Sequence, residues 1–249
     1  MKKYFSFLPL VILLLLFSAC KKETENYKPS SSIRDYSPLE TGKYITYKLD
    51  SIVYLSFGQT QTTRSYEAKY VVDSLLTDNG ERPAYRIFRY IRKQNTDPWS
   101  PSGTFWAINT GGTLEFVENN MRYIKLEMPI ENGTTWKGNA FIETTSLNSE
   151  VKYLDDWDYV FDAVGVAETV GTNNLDNVLT VNQHDETIGD PADAGSYSEV
   201  NYGQEKYAKG IGLVYRRFFH SEYQPGTGSG DGYTADGSYG VTLTMIDHN

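Results

Sequence analysis

The chain has 249 residues, a net charge of -9, 39% hydrophobic residues, 20 tyrosines, 21 glycines, three histidines and one cysteine. That acidity excludes a nucleic-acid partner, because phosphate binding needs a basic stripe; one cysteine excludes a disulfide framework, and three scattered histidines leave little for a zinc site. An aromatic fraction of 14% with a mean hydropathy of -0.48 suits an all-β chain, in which half of each strand faces water and aromatics fill the inner face.

Residues 1–20 open with a charged stretch, Lys2-Lys3, followed by an apolar run, Leu8–Phe17. The run has the length of a secretory hydrophobic core and is too short for a comfortable bilayer span, which needs about 20 apolar residues. Small residues, Ser18 and Ala19, lead into the only cysteine, Cys20. The order Phe17-Ser18-Ala19-Cys20 resembles the bacterial lipobox, with Phe17 standing where Leu, Val or Ile is usual. The alternative is a free cysteine after an ordinary cleavage site. The resemblance implies a signal peptide over 1–19, diacylation of the Cys20 thiol, cleavage before it and acylation (palmitate-type chains) of the new N-terminus. Several acyl chains anchor far more firmly than one, since each buried methylene contributes about 0.8 kcal/mol. Loss of Lys2 and Lys3 leaves 21 basic against 32 acidic residues, or -11, a charge that anionic lipid repels.

Residues 20–38 read as a lipidated cysteine and flexible tether, with two prolines, three consecutive serines and few apolar groups. Their start, Lys21-Lys22-Glu23-Thr24-Glu25, is similar to export tags of surface lipoproteins in Bacteroidetes-type bacteria. Either face of an outer membrane is therefore expected.

A single β-rich domain is expected over 39–249. Lys43–Leu55 and Ser65–Leu76 are Tyr- and Val-rich, and Asp78-Asn79-Gly80 turns into Pro83–Arg92. Thr104–Asn109, Leu114–Glu118 and Met121–Met128 follow, separated by Gly111-Gly112 and Asn119-Asn120, residue types that fit the positive-φ positions of tight hairpins. In the last of these, Ile124, Leu126 and Met128 share one face and Tyr123, Lys125 and Glu127 the other, the alternation of a half-buried strand. Asp158–Val170, Leu175–Asn182, Tyr207–Phe219 and Tyr239–Ile246 read the same way. Some ten strands in sequential hairpins predict an all-β antiparallel meander, a curved half-barrel or barrel-like sheet. No stretch demands a helix.

Two segments, Gly171–Val181 and Tyr207–Tyr215, together with the opening Leu39–Tyr47, resemble a signature of poorly characterised, lipid-anchored, β-rich outer-membrane lipoproteins. The resemblance implies an anchor and a curved sheet and brings no catalytic group.

The residues themselves offer few sites. Gly210 and Gly212 flank Ile211 in a strand-like run and suit a turn or bulge; a phosphate loop would need a following lysine or helix start. Asp155-Asp156-Trp157-Asp158 with Asp162 has calcium-type ligands without the spaced rhythm of a calcium loop, so solvated hairpin ends are expected and no metal or cofactor is assigned. No Gly-x-Ser-x-Gly elbow, His-Glu-x-x-His or Cys/His pair is present. Trp99, in the loop Asp97–Pro101, and Trp106 are the ligand-binding candidates, because an exposed ring stacks on a sugar or contacts lipid. Three functions follow as expectations. The first is a non-enzymatic, membrane-anchored envelope lipoprotein binding an apolar or amphipathic ligand or another envelope protein. The second is a surface glycan-binding module using exposed Trp and Tyr. The third is a glycoside hydrolase with spatially paired carboxylates.

Overall fold

The computed structural model describes residues 31–147, 149–228 and 230–249, so Cys20 and the expected signal peptide lie outside the described residues. These residues form one short helix, α1 (Ile33–Tyr36), and thirteen strands. The strands are β1 (Tyr44–Leu55), β2 (Thr60–Thr77), β3 (Pro83–Arg92), β4 (Ser100–Asn109), β5 (Thr113–Glu118), β6 (Met121–Glu127), β7 (Thr135–Lys137), β8 (Asp158–Val170), β9 (Asn173–Ile188), β10 (Ser198–Ala208), β11 (Gly212–Gln224), β12 (Tyr233–Thr234) and β13 (Tyr239–His248). They make one antiparallel sheet in the order β6-β5-β4-β3-β2-β1-β13-β11-β10-β9-β8-β7, with β12 on β11, curved into a nearly closed barrel with one unsealed seam.

The expected meander is present, with sharper boundaries. Asn119 and Asn120 both have positive φ in the β5–β6 turn, which matches the right-handed strand twist. The segment Tyr207–Phe219 is two strands, not one: Gly210 and Gly212 both have positive φ, and the Ile211 N–H donates to the Ala208 carbonyl in the turn between β10 and β11. The tether ends sooner than expected. Ile33 and Tyr36 are each 1% exposed and share a core cluster with Leu126, Ile130 and Trp136. Two apolar side chains three apart on one helical turn suffice to dock residues 31–38 onto the body.

The seam lies between β6 and β7. One backbone bond crosses it, from the Ile124 N–H to the Gly138 carbonyl at 2.8 Å, and the Trp136 indole N–H donates to the Ile124 carbonyl at 2.8 Å. Strand β7 covers only the start of β8, so among the described residues Asp162–Val170 has β9 on one side and no strand on the other. That free edge is irregular: its register against β9 shifts at three points between Phe161 and Glu168.

A register shift also redirects β6. Leu114 pairs with Leu126 and Glu115 with Ile124, leaving Lys125 as the extra residue of a bulge. Tyr123, Lys125 and Leu126 are all buried in consequence, whereas simple alternation would leave the Tyr123/Lys125 face in water.

Candidate functional site

The barrel holds a cavity of about 130 Å³ that opens at one end. Its rim is formed by Ser37 and Pro38 after α1, by Tyr44 at the start of β1, by Gly212 at the start of β11 and by Asn249. Asn249 is fixed there by its side-chain oxygen, which accepts from the Tyr44 N–H at 2.7 Å. The Gly210 N–H donates to the Asp35 carbonyl at 2.7 Å, so α1 is tied to the β10–β11 turn at the same rim. Below it the wall is apolar and aromatic, with Ile45, Tyr70, Val72, Ile87, Phe116 and Leu243. Tyr70 stacks on Phe105, and Phe105 on Phe116, with centroids 5.4 and 5.6 Å apart.

Four charged residues close the floor. Lys125 donates to Glu205 at 2.7 Å, Tyr207 donates to the other Glu205 oxygen at 2.6 Å, and Arg216 donates to Glu118 at 2.8 Å. Arg216 Nε makes no hydrogen bond and lies 3.6 Å from Glu205, linking the two pairs. Glu205 and Arg216 are register partners on β10 and β11, Glu118 ends β5 and Lys125 is the β6 bulge, so four strands converge on one patch. Glu205 is 1% exposed. Burial pushes the Glu205 carboxyl up, but Lys125 and Arg216 outweigh it and hold the group below the ordinary glutamate range. Glu118 behaves alike: burial raises it, and Arg216 and then Lys125 bring it below its usual value. Burial lowers Lys125, opposed by Glu205, and Arg216 is raised above its ordinary value because Glu118 and Glu205 overcome its desolvation. Two cations therefore face two carboxylates, all inside the barrel.

At the far end Trp157 occupies the interior, and Asp156, Asp158, His184, Tyr202 and Gly203 line a second cavity of about 410 Å³. Trp157 is 1% exposed, stacks on His184 at 4.8 Å with 6° between planes, and lies 5.7 Å from Phe218. It fits because Gly203 on β10 has no side chain: a Cβ there would sit 2.8 Å from both Trp157 Cζ3 and Gln183 Oε1. The Trp157 indole donates to the Tyr153 carbonyl at 2.6 Å, and Tyr153 stacks on His220 at 3.7 Å. His220 is buried against Asn201, 2.7 Å away, and burial holds its pKa below the ordinary 6.5. At this end the segments 183–202 and 218–240 carry eight carboxylates and no lysine or arginine.

Trp99 and Trp106 do not form one platform. Trp99 precedes β4 and is half-buried under Arg92, whose guanidinium lies 4.3 Å from the ring centroid. Trp106 is half-buried on the outer face of β4, opposite Arg86 in register and seven residues on, about 23 Å along an extended strand. The acidic stretch around Trp157 is held by cations: Asp156 and Asp158 lie 3.6 and 3.0 Å from Lys137. Among the described residues no group of three or more His, Cys, Asp or Glu is placed to hold a metal ion. Glu118, Lys125, Glu205 and Arg216 escaped sequence reasoning, since a charged residue on a strand reads as facing water.

No known protein family, no curated protein and no solved structure matches this chain.

Proposed function

We propose that the protein is a lipid-anchored envelope lipoprotein that binds the apolar part of a small or amphipathic molecule in the open end of its barrel. The observation that carries this reading is the cavity, with its apolar wall, open rim and ion-paired floor. Its 130 Å³ compares with the roughly 150 Å³ of an engineered apolar cavity that takes benzene, so it suits a ring or one short chain.

The arrangement of charge supports the anchor. An acylated Cys20 precedes Ser31 by eleven residues, a reach of at most about 40 Å, and α1 leads from there into the rim. The acidic segments 183–202 and 218–240 lie at the opposite pole of the strands from α1. The glycan reading has less support, because Arg92 lies over the Trp99 ring and Trp106 is remote from it. A hydrolase reading requires a carboxyl group held protonated, and both floor carboxyls are shifted the other way.

Two measurements test the proposal. Calorimetric titration with 1-octanol is expected to show binding that is lost when Ala107, a buried residue of the β4 wall, is enlarged in Ala107→Leu, which adds no charge; no binding by the folded wild type rejects the cavity as a site. Cys20→Ala is expected to move the protein from membrane to soluble fractions, and its persistence on membranes without detergent rejects the anchor.

A further inference from the structure

We infer that the cavity takes its ligand end-on, as a single chain whose inserted end is uncharged and whose charged head, where one exists, stays at the rim. This rests on the reading of the cavity as a binding site and adds the ligand's class and direction.

The first argument is charge balance. Lys125 is spent on Glu205 at 2.7 Å and Arg216 on Glu118 at 2.8 Å, while Tyr207 satisfies the second Glu205 oxygen. The four residues that line the floor are therefore neutral as a group; Arg89, the further cation that acts on Glu118, is not among the residues lining the cavity. A carboxylate brought to it would meet Glu118 and Glu205 as repulsive neighbours, and an ammonium would meet Lys125 and Arg216. Either adds an unbalanced charge to a low-dielectric interior, where desolvation is not repaid. An alkyl or aromatic end adds none, and it packs on the apolar wall and on the aliphatic stems of the floor residues.

The second argument is shape. Gly212 at the rim and Arg216 at the floor are four residues apart on β11, a depth of about 13 Å along the strand. A cavity of 130 Å³ and that depth is narrow and admits one chain, not two. The rim supplies what a charged head needs, namely Lys43 and the edge of the barrel in water.

Octanoate, octanedioate and 8-aminooctanoate, titrated calorimetrically into the wild-type protein, separate the possibilities. With the head at the rim, octanoate binds, and the other two bind at least about 100-fold more weakly, because each must bury its second charge; such a factor corresponds to about 2.8 kcal/mol. A ligand inserted head-first leaves its far end in water, so octanedioate then binds as well as octanoate. Equal affinities within threefold overturn the inference and leave the cavity a binding site. Failure of octanoate and 1-octanol alike rejects the underlying reading instead. Glu205→Gln, which leaves the floor with one excess positive charge, is expected to narrow the ratio between octanoate and octanedioate affinities to about tenfold. An unchanged penalty in the folded variant removes charge balance as the cause. Should Glu205→Gln not fold, the three wild-type titrations still decide the direction of insertion.

Discussion

The two ends of the barrel are built from the same strands and differ in what crosses them. At the far end Trp157 enters from the loop before β8, seats over Gly203 and stacks between His184 and Phe218. At the near end α1 and the residues after it, the β10–β11 turn and Asn249 form the rim, and four charged side chains line the depth. The near-end cavity is therefore a part of the interior that no loop tryptophan enters. One glycine on β10 and one tryptophan opposite it separate a plugged barrel end from an open one.

The largest expected effect comes from removing that plug. Trp157→Ala should cost about 3–5 kcal/mol in urea denaturation, as for other buried tryptophans. It should also leave octanol binding at the near end unchanged; a joint loss would mean that the ends do not behave independently.

A smaller effect separates the ends by pH. His220 belongs to the far end and its folded pKa lies below 6.5, so the unfolded chain takes the proton first. Stability from neutral His220 is complete above about pH 6.5 and is lost as pH falls toward the folded value. Glu118 and Glu205 belong to the near end and are also lowered, from a reference of 4.5, so their contribution persists until pH falls below that value. On acidification, the Trp157 indole N–H resonance should therefore lose exchange protection before the amides of Glu118 and Glu205 do. The reverse order breaks the assignment. The smallest effect is expected at Phe57, 96% exposed at the β1–β2 tip. Phe57→Ser should change stability by no more than about 0.5 kcal/mol, measured by the same denaturation.

The strands that alternate cleanly were legible in the sequence, as were hairpin turns with a local chemical reason, such as Asn119-Asn120 and Asp78–Gly80. The floor was not. On β10 the inward side chains near the floor include Asn201, Glu205 and Tyr207, with Gly203 between them, so hydrophobic periodicity is silent where the strand matters most. On β6 the bulge at Lys125 breaks the alternation at the one residue that pairs with Glu205. Both losses have one cause: a buried ion pair satisfies its partners across strands 80 residues apart, and no local pattern encodes that. Trp99 drew attention as an aromatic in a proline-flanked loop, but the sequence does not reveal that Arg92 lies over it.

The unpaired stretch of β8 has a bearing on how the protein behaves when concentrated. Nine residues of strand edge without a partner among the described residues, Val164 and Val166 among them, would ordinarily template pairing with a neighbour's edge. The three register shifts along it kink the row of free donors and acceptors, so a second straight strand cannot match more than a few at once. The described residues thus leave the barrel unsealed without offering a ladder for amyloid-like growth.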